Sequence, residues 1–104
     1  MILPANIAQE ISDLATRSGT DPLGGQHYQV QSVPQALQDT PHACIYKTAD
    51  LAIWDYPHFH ALFLARRRPE PSDLVFYPSE PARDAAMESV RRGRLPSLEP
   101  QLER

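Results

Sequence analysis

Two histidines separated by one residue are the side chains whose types and spacing are best suited to chemistry in this chain. His58 and His60 flank Phe59 and closely follow Asp55 and Tyr56. On a β-strand, residues two apart point to the same face of the sheet, so both imidazoles could reach one metal ion. Imidazole nitrogen is a common ligand for zinc, copper, iron and nickel. The spacing predicts either a metal site or two partly exposed histidines around a buried aromatic residue.

A metal site here would need a further ligand, because zinc usually takes three or four ligands from the protein. His42 on a neighbouring strand, Asp55 or Tyr56 could supply it. The spacing alone fixes none of them. We therefore expect no cofactor, and we keep a divalent metal held by His58, His60 and His42 as the alternative.

The stretch 56–64, Tyr-Pro-His-Phe-His-Ala-Leu-Phe-Leu, is similar to the histidine–hydrophobic–histidine strand of HUH endonucleases. These include rolling-circle replication initiators, relaxases and some transposases. The resemblance implies that His58 and His60 bind a divalent metal on a sheet, beside a tyrosine that attacks a DNA phosphate. No tyrosine follows in a helix here, since Tyr77 is the last one and precedes Pro78. A metal-dependent, nuclease-like protein is therefore kept only as an alternative function.

Other catalytic constellations have little support in the sequence. His42 and Cys44 are two residues apart, so a strand would point them the same way and allow a cysteine–histidine dyad. No nucleophile motif or oxyanion-hole loop accompanies them. We expect Cys44 to be a buried structural thiol. The pair Gly24–Gly25 indicates a turn, because no Gly-Lys-Ser/Thr follows it. The sequence favours a protein that is not an enzyme.

Clustered arginines and exposed aromatic side chains form the candidate partner surface. Tryptophan, tyrosine and arginine are enriched at binding hot spots. The partner-binding residues we predict are Trp54, Tyr56, Arg66, Arg67, Arg68, Arg91 and Arg92. Arginine clusters could also contact phosphates, but a net charge of −3 makes the chain a poor non-specific nucleic-acid binder. Of the two aromatic residues, Tyr56 beside Pro57 is the one we expect to be exposed.

These features predict a small non-enzymatic protein-interaction module of accessory, inhibitory or immunity type. Its partner would be another protein. Nucleic-acid binding through the arginine clusters is an alternative, and self-association through an open sheet edge is another.

Composition limits the class and the location. A length of 104 residues fits one domain, and a hydrophobic content of 41% argues against global disorder. The single cysteine indicates a reduced, cytoplasmic protein. The N-terminus lacks the pattern of a signal peptide, and the apolar run 61–65 is too short to cross a bilayer, so we expect no membrane contact.

Periodicity predicts an α+β fold. Helices are expected at 5–17 and 80–92, a helical turn at 34–38, and strands at 26–33, 42–48, 51–56 and 73–77. The stretch 58–68 is ambiguous, with strand favoured over helix. The predicted domain spans 1–94, with an extended tail at 95–104. It should contain a mostly antiparallel sheet of four or five strands, with the N- and C-terminal helices packed on one face.

Overall fold

The computed structural model describes residues 15–31, 35–67 and 70–96, together with Ala5, Gln9 and Ile11. The labelled elements of this described part are β1 (Ala15–Thr20), β2 (Gln26–Val30), α1 (Gln35–Gln38), β3 (Ala43–Lys47), β4 (Leu51–Tyr56), a 3₁₀ helix (Pro57–Phe59), β5 (Ala61–Arg66), β6 (Ser72–Phe76) and α2 (Glu80–Arg91). The α+β class is confirmed. None of the described helices has the length and apolar character needed to cross a bilayer.

The described strands form one antiparallel sheet in the order β1-β2-β6-β5-β4-β3. It has six strands rather than four or five. The additional strand is β1, which pairs with β2 from Ala15 opposite Val30 to Thr20 opposite Gln26. Backbone hydrogen bonds to β2 hold this polar segment in the sheet, although its sequence lacks the apolar alternation that marks a strand.

The N-terminal helix is described at three positions only. Ala5, Gln9 and Ile11 are helical, and the other predicted positions up to residue 14 lie outside the described residues. The prediction that this helix continues to residue 17 is wrong, because β1 begins at Ala15.

Strand alternation separates two apolar clusters, one on each face of the sheet. The cluster on the face covered by α2, here called the helix face, consists of Ile53, Leu62, Leu64, Val75, Tyr77, Ala86 and Val90. The cluster on the opposite face consists of Ile11, Val30, Leu37, Tyr56, Phe59, Ala61, Phe63, Leu74 and Phe76. Ile11 therefore packs on the other face from α2, whereas we expected both terminal helices on one face. Periodicity shows that a helix has an apolar side but not which sheet face it covers.

Helix α2 has the ends that its sequence predicts. The Ser79 hydroxyl accepts a hydrogen bond from the backbone N–H of Ala82. At the other end, Gly93 has a φ of 84° and donates its N–H to Val90, while Arg94 donates to Ser89. This paired arrangement is a Schellman motif, which ends the helix and sets the direction of the following residues.

Pro57 resolves the ambiguous stretch by interrupting the chain between β4 and β5. The 3₁₀ helix begins at Pro57, and His60 follows it in the left-handed region with a φ of 53°. The strand prediction is confirmed from Ala61 to Arg66 and is wrong for the residues before it.

Candidate functional site

The two histidines at the predicted metal site do not lie on one strand. His58 is exposed on the 3₁₀ helix, and His60 occupies the left-handed turn after it. The shared sheet face that motivated the metal prediction is therefore absent. Among the described residues, no three histidine, cysteine, aspartate or glutamate side chains group in a way that could hold a metal ion. Within the described part of the chain, the buried Nδ1 atom of His60 has no hydrogen-bond partner.

His42 lies in a row of aromatic rings with Trp54 and Tyr56. Its Nδ1 atom lies 2.6 Å from the carbonyl oxygen of Thr40. Its ring centre lies 5.1 Å from that of Trp54 and 5.1 Å from that of Tyr56. Tyr56 in turn stacks on Phe59. His42 thus extends the aromatic packing of the opposite face toward the sheet edge.

Cys44 is exposed, contrary to our expectation of a buried thiol. It lies on the edge strand β3, opposite Trp54 of β4. A residue on an edge strand has a neighbouring strand on one side only, which leaves the Cys44 side chain open to solvent. The thiol donates to the backbone oxygen of Tyr46, 3.4 Å away.

The two predicted aromatic contact residues differ in their accessibility. Tyr56 is only 2% exposed, so our expectation that it is exposed is wrong. Burial raises the pKa of its hydroxyl to about 12. Trp54 is half-buried against the opposite-face cluster. Of this pair, only Trp54 can offer surface to a partner.

The arginines of the predicted partner surface that the structure describes have carboxylate neighbours. Arg66 pairs with Asp73, and the Arg67 Nη1 atom lies 3.9 Å from Asp50. Arg91 and Arg92 both approach Glu88, at 3.7 Å and 3.4 Å. Arg68 lies outside the described residues. Local ion pairing reduces the positive charge that these arginines present to a nucleic acid.

Both edges of the described sheet carry irregularities. The register shifts between Arg17 and Gly19 in β1, and between Cys44 and Tyr46 in β3. A β-bulge interrupts the regular row of backbone donors and acceptors that a further strand would need. Pairing of two copies through a sheet edge is therefore disfavoured at both ends.

A buried carboxylate organises the turn between β1 and β2. Asp21 Oδ1 accepts the backbone N–H groups of Leu23 and Gly25, each at 2.9 Å. Asp21 Oδ2 lies 2.9 Å from His27 Nε2 and accepts the Tyr77 hydroxyl at 3.0 Å. These four contacts join the turn to β2 and to the end of β6. Burial, together with the charge and hydrogen bond of Asp21, raises the pKa of Tyr77.

Gly25 permits this arrangement because the side chains around it leave no room for a Cβ atom. A Cβ built at this position would lie 2.5 Å from Asp21 Oδ2, 2.6 Å from Tyr77 Cε1 and 2.7 Å from Val75 Cγ1. Such distances are far below normal contact, so only glycine fits. The sequence indicated a turn at Gly24–Gly25, but it could not show that the second glycine touches residues from the far end of the chain.

A groove of about 340 Å³ opens beside this turn, between it and the end of α2. Its lining residues are Asp21, Pro22, Leu23, Tyr77, Ala86, Ser89, Arg94, Leu95 and Pro96. Leu23 and Leu95 are each 39% exposed and are the exposed large hydrophobic residues of the described part. Both lie on this one groove. The sequence marks neither leucine as a binding residue, because single leucines in a turn and after a helix are ordinary there.

No protein-family model, curated protein or solved structure significantly matches this chain.

Proposed function

We propose that this chain is a non-enzymatic protein-interaction module that receives an apolar segment of a partner protein in the groove beside α2. The observation that carries the proposal is the position of Leu23 and Leu95. These exposed large apolar residues of the described part share one concave surface. Exposed apolar side chains that share a concave surface are typical of binding sites, whereas scattered ones are not.

The two segments that carry Leu23 and Leu95 are each held in place by hydrogen bonds. Asp21 fixes the turn that carries Leu23 through four hydrogen-bonding contacts. The Schellman motif at Gly93 sets the course of the chain toward Leu95. A surface that is already ordered loses less conformational entropy on binding. The groove is therefore suited to recognition without prior rearrangement.

The candidate catalytic groups give no support to an enzyme. His42 is engaged with aromatic rings, and His58 and His60 lie in different backbone conformations. Asp21 is a carboxylate next to a histidine, but its oxygens are used to hold the turn. An accessory or inhibitory role through protein contact agrees better with this placement of the residues.

The test is affinity capture from the cells of origin with the whole chain as bait. A second bait carries Leu23→Ser/Leu95→Ser, which removes the apolar side chains of the groove. A third bait, the control, carries Trp54→Ser on the opposite face of the sheet. We expect a partner that is captured by the unchanged chain and by Trp54→Ser, and lost with the double leucine variant. A partner that is no longer captured by Trp54→Ser, but is still captured by the double leucine variant, would assign the interaction to the aromatic surface around Trp54. Circular dichroism of each variant must first show an unchanged fold.

We also propose a reducing compartment, the cytoplasm, for this protein, because Cys44 is an exposed thiol. Thiol labelling in intact cells followed by lysis would test it. A Cys44 that is already oxidised in untreated cells would count against a cytoplasmic location.

A further inference from the structure

We infer that the segment bound in the groove carries an acidic side chain next to its apolar one. This inference rests on the proposed function and specifies the chemistry of the partner. It follows from which charged groups on the groove are already engaged and which remain available.

Asp21, the acidic residue that lines the groove, is not available to a partner. Asp21 accepts two backbone N–H groups, the ring N–H of His27 and the hydroxyl of Tyr77. A carboxylate has about four lone-pair sites, so these contacts use its capacity as an acceptor. Asp21 is also buried. A lysine or arginine of a partner therefore finds no free carboxylate among the described residues that line the groove.

The positive group on the groove is available. Arg94 is exposed and lines the groove beside Leu95. Arg91 and Arg92, which precede it, both lie near Glu88, whereas within the described residues Arg94 has no carboxylate within ion-pairing distance. The backbone of Arg94 is nevertheless fixed, because its N–H donates to Ser89. Within the described residues its guanidinium is therefore a cation without a carboxylate partner, carried on a fixed stretch of backbone.

The apolar and charged parts of the groove are adjacent in the chain. Leu95 follows Arg94 directly, and Leu23 faces the same space from the turn. A segment that fills the space between the leucines would bring a neighbouring residue close to the guanidinium. A carboxylate there could accept two parallel hydrogen bonds from the arginine. The groove therefore fits an apolar side chain with an aspartate or glutamate beside it.

The test is selection of random peptides displayed on phage, with the whole folded chain as the target. Selections run in parallel on the unchanged chain, on Arg94→Glu and on Leu23→Ser/Leu95→Ser. We expect peptides with adjacent apolar and acidic residues from the unchanged chain, and none of these from the leucine variant. Arg94→Glu should instead select peptides with a basic residue next to the apolar one, because the available charge is reversed.

Binding measurements on the selected peptides provide a matched control. Arg94→Gln should weaken binding about two- to fivefold, because Arg94 is exposed and solvent screens its pairing with a carboxylate. Arg92→Gln removes the same charge from the same end of α2 but does not line the groove, and it should leave the affinity nearly unchanged.

The outcomes separate the two proposals. Groove-dependent peptides without acidic residues would overturn the acidic partner but leave the groove as a binding site. Failure to select any peptide that depends on Leu23 and Leu95 would overturn both. Concentration-dependent self-association that Leu95→Ser abolishes would assign the groove to a second copy of this chain and would also overturn the inference.

Discussion

Replacing Arg83 by methionine should strongly destabilise the fold, because it leaves the carboxylate of Asp55 buried without its cation. Arg83 Nη1 lies 2.8 Å from Asp55 Oδ1, and the two residues are 7% and 9% exposed. Burial alone would lower the pKa of Arg83, but hydrogen bonds and charges from Asp55 and Asp84 outweigh it and raise that pKa. The pair links α2 to β4 on the helix face.

The expected size follows from the burial of both partners. Removing one member of a buried ion pair costs about 3–5 kcal/mol. For a domain of this length that is a large part of a total stability of roughly 5–15 kcal/mol. This loss of stability corresponds to a thermal unfolding midpoint lowered by roughly 15–30 °C. Asp84→Ala removes the exposed second partner of Arg83 and should cost less than about 1 kcal/mol.

A double-mutant cycle with urea unfolding gives the decisive comparison. Asp55→Leu/Arg83→Met replaces both charges by apolar side chains and should come within about 1 kcal/mol of the unchanged chain, or exceed it. The coupling energy is then large and favourable to the pair. A loss below about 1 kcal/mol for Arg83→Met would show that water reaches Asp55, and the argument from burial would be refuted.

Three further predictions address the turn, the buried tyrosines and the cysteine. Gly25→Ala should cost about 1–3 kcal/mol or more in urea unfolding, because its Cβ would displace packed neighbours; an unchanged midpoint would contradict the close packing. Raised pKa values mean that Tyr56 and Tyr77 stay protonated in the folded chain while unfolded tyrosines ionise near pH 10. Below that pH these tyrosines should leave the free energy of unfolding unchanged. Above it, the free energy of unfolding should fall by about 1.4 kcal/mol per pH unit for each tyrosine, and Tyr56→Phe should reduce this slope. Cys44 should react with a thiol reagent in the native protein, whereas protection until unfolding would show that it is buried.

Strands with apolar alternation could be predicted from the sequence, because alternating apolar residues indicate that one side of the strand is buried. Tyr28 and Val30 marked β2. The apolar run around Phe63 does not alternate, because β5 is buried on both faces, and it therefore left strand and helix open. The polar strand β1 could not be found in this way, since it is held by pairing with β2 rather than by an apolar face of its own.

The candidate site was harder to predict than the fold. The histidine spacing implied a strand, but Pro57 starts a 3₁₀ helix and places His58 and His60 in different conformations. The groove depends on the turn at Leu23 meeting the chain at Leu95, which are distant in sequence. A contact of this kind leaves no local pattern, so one sequence could not reveal it.

The strand order has a consequence for how the chain reaches its fold during synthesis. Strands β3, β4, β5 and β6 pair with their neighbours in sequence, whereas β2 pairs with β6, with Gln26 opposite Phe76. The first hairpin is made early but can join the sheet only when β6 is available, and closing so long a loop slows folding. Until β6 is made, one edge of β2 is unpaired, and Asp21 lacks the hydrogen bond from the Tyr77 hydroxyl. Within the described sheet, the hairpin of β1 and β2, which is made before the other strands, should therefore be the last part to become protected from proteases and from aggregation.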